Sequence, residues 1–202
     1  MKITLDYLKS TDACEEGFEW FTKNYPSLEA DLFDFLQKMI KENQIDWMIR
    51  TVYQLGYNNL IHEFGCRCAD KVLNKVKNPD IRSINGIIAK RKFLNGEINE
   101  EELKIAKENA HKVVEETTSH IEKYAALTAD EACELLSNSS KMVTELTSCN
   151  AGSVRFAASN ARFFTIFFEN YSERDRRILW ETEKQLQCQE LFNIIKENVK
   201  EL

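Results

Sequence analysis

Glycine and proline are scarce in this chain of 202 residues, at six and two. A sandwich or barrel of short strands needs a turn former every ~8–12 residues, so that class is excluded and long helices joined by short loops are expected. No apolar run approaches the roughly 20 residues that a membrane-spanning helix requires. The opening MKITLDYLKSTDACEE meets acids early and holds no uninterrupted apolar segment, so it is not read as a secretory signal, and a cytoplasmic location is expected. The sequence also lacks a Gly-x-Ser-x-Gly elbow and a glycine-rich phosphate loop. No catalytic residue, cofactor or metal ligand is therefore assigned, and the chain is not expected to be an enzyme. Period-two alternation, low-complexity linkers and repeats of fixed period are missing as well. One all-helical domain over 1–202 follows, with a soft division near the Asn-Gly-Glu turn at 95–97.

Helix start and stop signals recur instead. Asp12 with Glu15, Asn99 with Glu102 and Thr128 with Glu131 each place an acid three residues after a capping side chain. Ser27 and Ser172 read as further N-caps, and Gly56 and Gly96 stand where a helix wants a left-handed terminal residue. The expected helices run over 4–9, 13–24, 28–42, 45–55, 58–76, 80–95, 100–126, 129–148, 153–170 and 173–199. They make a compact all-α bundle or array of about nine to ten helices, with stacked hairpins among the arrangements allowed. Helical spacing of Phe18, Phe21 and Tyr25, of Leu32, Phe35, Leu36 and Met39, of Ile81, Ile84, Ile87 and Ile88, and of Leu186, Leu191, Ile194 and Ile195 marks core faces. The run FFTIFF at 163–168 is apolar nearly all round and is expected in the core. Cys14, Cys66, Cys68, Cys133, Cys149 and Cys188 are expected as buried thiols of a reducing compartment.

Charge is segregated. From Cys66 to Asn95 eight basic residues face two acids, a net +6 in a chain whose total is −6. Arg67, Lys71 and Lys75 are four apart and form a stripe, with Ala69, Val72, Leu73 and Val76 roughly opposite. If the helices on either side of Asn78-Pro79 form a hairpin, Arg82, Lys90, Arg91 and Lys92 join that stripe in a patch for nucleic acid phosphates or an acidic protein face. An ordinary solvated surface balanced by acidic neighbours is the plainer expectation. Phe93 is the only aromatic after Phe64 in this segment, which disfavours base stacking.

Two weaker constellations involve histidine. His62 and Cys66 share a helix face, as two zinc ligands would, but no further ligands stand at matching spacing, and packing is the favoured reading. His111 with Glu115, and Glu116 with His120, are i, i+4 pairs read as solvated helix-face contacts. Trp20, Trp47 and Trp180 are read as core or inter-helix anchors, with partner contact through Trp20 and Trp47 as the functional alternative.

The segments ACEEGFEWF at 13–21, DW at 46–47, CADKVL at 68–73 and PDIRSINGIIAKRKFLNGEINEEELKIAKENAH at 79–111 resemble the immunity proteins of bacterial polymorphic toxin systems and their phage relatives. The matching positions are Cys14, Gly17, Trp20, Asp46, Trp47 and Arg82. The family's dense alanine repeats are thinned here to the pairs 125–126 and 157–158, with bulkier residues between. The resemblance implies an alanine-rich helical fold. It also implies a small intracellular protein that works by binding a protein partner, such as a toxin, a nuclease or a defence effector. It supplies no catalytic residue. Cys14, Gly17 and Trp20 are read as architectural, and Asp46 as a cap for the helix that carries Trp47. The expected function is thus a non-enzymatic inhibitor of the immunity or anti-defence type. A nucleic-acid-binding module using helices 67–92 is the alternative, and a metal-dependent enzyme at His62 and Cys66 the third reading.

Overall fold

The computed structural model describes residues 1–11, 13–133, 154–164 and 172–199. Among these the chain is all-α, with ten helices and two three-residue strands. Strands β1 (Lys2–Thr4) and β2 (Glu29–Asp31) pair antiparallel, with Ile3 opposite Ala30. Those two side chains enter the core while their neighbours stay at the surface. Helices α1 (Leu5–Ser10) and α2 (Glu15–Asn24) connect the strands. Cys14 occupies the N-cap of α2 without a side-chain bond, and the expected cap Asp12 lies outside the described residues.

The helix expected from residue 28 begins later. Leu28 takes a left-handed φ of 58° and closes a turn through its N–H to the Tyr25 carbonyl. Ser27 donates to the Glu29 carbonyl instead of capping. Asp31 is the cap of α3 (Leu32–Lys41), accepting from the Phe33 amide at 2.8 Å. The apolar spacing of α3 holds, since Leu32, Phe35, Leu36 and Met39 are all buried. Helix α4 (Ile45–Gln54) buries Ile45, Met48, Ile49 and Val52. Between α2, α3 and α4 lies an aromatic nest in which Trp20 meets Trp47, Phe35 and Tyr25 edge to face, with centroids 5.8, 5.7 and 6.2 Å away.

Helix α5 (Asn58–Leu73) runs through the centre and touches α4, α6, α8 and α10. Helix α6 (Ile81–Leu94) returns across Asn78-Pro79 with Asp80 as its cap and packs on α7 (Glu100–Glu116). Gly86 allows that approach: a Cβ there would lie 2.9 Å from Cys133 Sγ and 3.2 Å from Ala110 Cβ. Of the isoleucines placed on one face of α6, Ile87 is buried, whereas Ile81 and Ile88 are exposed at 62% and 46%. Asn99 and Glu102 close the expected capping box of α7.

The single helix expected over 100–126 is two. Extended backbone at Thr117 ends α7, and Ser119 caps α8 (His120–Ala132) by accepting from the Glu122 amide. Thr128 is consequently not a cap; it lies inside α8 and donates to the Tyr124 carbonyl at 2.7 Å. Most of the helix expected over 129–148 lies outside the described residues. Helix α9 (154–164) seats Val154 against Gly65, and α10 (Glu173–Asn198) lies across α3, α4 and α5. The alanines at 125, 126, 129, 132, 157, 158 and 161 are all buried, so small residues bring α8 and α9 close to their neighbours. Val113, Val114 and Ala126 form a small cluster between α7 and α8, and the main core extends from Ile3 to Val199. Phe164 belongs to it and Phe163 is partly exposed; the rest of FFTIFF lies outside the described residues. No helix of the described residues is long and apolar enough to cross a membrane.

Candidate functional site

Helices α5 and α6 do form the hairpin that brings the basic residues together. Their charges, however, are tied to carboxylates of the same chain. Glu63 receives Arg67 one turn along α5 at 3.2 Å and Arg91 from α6 at 3.0 Å. Arg67 reaches on to Glu190 of α10 at 2.6 Å, and Arg91 to Asp70 at 2.7 Å. Lys71 binds both oxygens of Glu183, at 2.6 and 2.9 Å. Glu183 is only 5% exposed at its side chain, so this pair is more shielded than the rim pairs. Arg82 spans its own cap Asp80 and Glu116 of α7, at 2.9 and 2.6 Å. These bonds, Arg82 foremost, hold the carboxyls of Asp80 and Glu116 below the ordinary carboxylate range.

Lys90 departs from the expected patch altogether. It is fully buried, with its ammonium 5.9 Å from the Phe93 ring centroid. Its charge helps to set its surroundings. His62 is pushed down to about 3, first by burial and then by Lys90. Cys66 is pushed up to about 12 by burial, against the opposing pull of Arg91 and Lys90. His62 and Cys66 are both buried on α5, and among the described residues no group of three His, Cys, Asp or Glu comes together in the manner of a metal site. Cys68, Cys133 and Cys188 are buried as expected, whereas Cys14 is exposed and Cys149 lies outside the described residues. Of the seven basic residues singled out by sequence, Lys71, Lys75 and Lys92 are exposed, Lys71 while bound to Glu183.

Two clefts collect the other marked residues. Cys14, Gly17, Asp46 and Trp47 line one of about 330 Å³, together with Arg50 and Arg155. Asp46 is not a cap, because Gln44 occupies that place; its carboxylate accepts from Arg155 Nε at 3.1 Å. Trp20 packs behind the cleft and donates its indole N–H to Glu42. Both tryptophans are thus inter-helix anchors. Arg82 lines the second cleft, of about 320 Å³, where the α5–α6 turn faces the α7–α8 break. Glu116 pairs with Arg82 here, and the α7–α8 break separates it from His120. His111, with Glu115 at 3.9 Å, turns its Nδ1 to Asp130 at 2.9 Å. That carboxylate is the main cause raising the His111 pKa.

The partners of the basic stripe were the main element missed by sequence reasoning. Glu63 stands four residues before Arg67, an i, i+4 spacing that announces its pair. Glu183 and Glu190 carry no such local signal, because they reach Lys71 and Arg67 across 112 and 123 residues.

Residues 1–60 match the YdhT N-terminal domain family. This span holds β1 through α4 and supplies every residue singled out at the first cleft except Arg155. No curated protein and no solved structure matches the chain.

Proposed function

We propose that the protein is a non-enzymatic inhibitor that acts by binding another protein, of the immunity or phage anti-defence kind. Its partner would be a toxin, a nuclease or a defence effector with a basic surface. The observation that carries this reading is that the cations of the basic hairpin are engaged within the chain while acids elsewhere face water. Arg67, Lys71, Arg82 and Arg91 are bound to internal carboxylates and Lys90 is buried. Elsewhere the surface keeps acids that face water, among them Glu15, Glu16 and Glu19 on α2, Glu97 before α7, and Glu100 and Glu101 in its first turn. Such a surface attracts a basic groove and competes there with nucleic acid, and the attraction weakens with salt.

The tagged protein, incubated with lysate of its host at low salt, should retain a basic effector that elutes as salt is raised. Recovery of no toxin, nuclease or defence protein would count decisively against the reading. Direct nucleic-acid binding through helices 67–92 has less support, because its Arg contacts are already occupied. A gel shift lost on reversal of the exposed Lys75, Lys77 and Lys92 to Glu would favour it. Those substitutions leave the ion-pair network intact, whereas reversal of Arg67 or Arg91 would break it.

A further inference from the structure

The cleft between the α5–α6 turn and the α7–α8 break has an apolar floor made by Leu73, Val76, Val113, Ala125 and Ala126. Its rim carries three acids, Asp80, Glu116 and Glu122, against one cation, Arg82. A helix N-terminus normally favours an anion. Here the Asp80 carboxylate already accepts the Arg82 amide at the start of α6, and Asp80 and Glu116 hold the Arg82 guanidinium. The positive groups are therefore occupied and the cleft keeps a net negative charge. A second observation is independent of the acids. Ser83 lines the same cleft, is 1% exposed, and its hydroxyl has no hydrogen-bond partner among the described residues. A buried hydroxyl without a partner costs stability, and an incoming donor would satisfy it.

We infer that this cleft takes an alkylammonium group, that of a lysine side chain presented by a protein partner. The lysine's methylenes would lie on the apolar floor, and its ammonium would donate to the carboxylate rim and the Ser83 hydroxyl. Only the source of the lysine rests on the function proposed above. The cleft's own chemistry does not.

The probe is N-acetyl-lysine N-methylamide, titrated into the ¹⁵N-labelled full chain, with the norleucine analogue as the uncharged control. Saturable amide shifts are expected at Ser83, Glu116, Thr117 and Ala125, with norleucine at least roughly tenfold weaker. Glu116→Gln with Glu122→Gln should weaken the lysine probe by a similar factor. Ser83→Ala should weaken it a few-fold while leaving the melting temperature equal or higher. Absence of shifts, shifts scattered over the surface, or equal binding of norleucine overturns the inference. Spermidine binding in place of the lysine probe overturns the lysine-side-chain assignment. Saturable lysine binding in a protein that captures no partner would sink the proposed function and leave the cleft assignment standing.

Discussion

Two glycines on neighbouring helices have opposite reasons to be there. A Cβ at Gly65 would make ordinary contacts, 3.5 Å from a Val154 methyl, whereas one at Gly86 would meet Cys133 Sγ at 2.9 Å and Ala110 Cβ at 3.2 Å. Alanine inside a helix is worth about 0.5–1 kcal/mol over glycine, while overpacking costs about 1–3 kcal/mol. Gly65→Ala is therefore expected to raise the urea midpoint slightly, and Gly86→Ala to lower stability by about 1 kcal/mol. His62 offers a test in pH. The unfolded chain protonates it near 6.5, whereas the fold, through burial and then Lys90, holds it down to about 3. Between those values the unfolded state binds the proton and the folded state does not, so stability falls as pH drops through the window. The shift contributes roughly 2–3 kcal/mol of loss on going from about pH 6.5 to about pH 4.5. Urea unfolding of the wild type and His62→Leu at both pH values should show the variant losing less by about that amount. The burial of His62 agrees with the packing favoured for it in the sequence, but its depressed pKa was not legible, because nothing near Lys90 announced a buried ammonium.

Helices were legible wherever a local signal coincided with an uninterrupted apolar face. Asn99 with Glu102 gave the start of α7, Ser172 that of α10, and Gly56 and Gly96 took the positive φ that their places required. The strands were not, because three residues with one buried side chain each leave no period to detect. The α7–α8 break carried a usable sign, Ser119 with Glu122, but Val113, Val114, Ile121 and Ala125 continue the helical spacing across it and masked the interruption. Thr128 with Glu131 shows the converse, a capping pattern inside a helix where the threonine bonds back one turn. The break sets the His111–Asp130 contact between α7 and α8. Because Asp130 raises the His111 pKa, the pair contributes stability that is complete below about 6.5 and is lost as pH rises through the higher folded value. An NMR titration should place His111 above its ordinary range, and Asp130→Asn should bring it down. Ion pairs differ by burial, from Lys2–Glu29 across β1 and β2 to Lys71–Glu183 between α5 and α10. Lys2–Glu29 is exposed and worth at most about 1 kcal/mol, whereas Lys71→Ala strands a Glu183 carboxylate that is 5% exposed and should cost about 2 kcal/mol in urea unfolding.

Across the whole molecule, a count of charge along the sequence located the basic stretch of the α5–α6 hairpin, and the plainer expectation, charges balanced by acidic neighbours, is how the fold holds Arg67, Lys71, Arg82 and Arg91. Helical phasing put Arg67, Lys71 and Lys75 on one stripe opposite Ala69, Val72 and Leu73; the fold keeps this for Arg67 and Lys71, whereas α5 ends at Leu73 and Lys75 lies in the turn beyond it. What phasing could not supply was the third helix. Glu183 and Glu190 approach from α10, over a hundred residues away, and pair with two stripe cations. The island is therefore a clamp between α5, α6 and α10 first, and a surface second. This separates the basic residues by consequence. Lys75 and Lys92 are exposed, and their joint reversal to Glu should leave the melting temperature within a few degrees, since surface changes away from such features stay within about 0.5 kcal/mol. Lys90→Glu places a carboxylate at a fully buried position and should abolish cooperative unfolding. Circular dichroism melts of both variants decide it. A protein indifferent to reversal at Lys90, or unfolded by reversal at Lys75 and Lys92, would mean that the basic hairpin is not held as described. With the expected result, the Lys75 and Lys92 variant becomes a folded reagent for measuring partner binding, because any change in salt-dependent association then reports the surface alone.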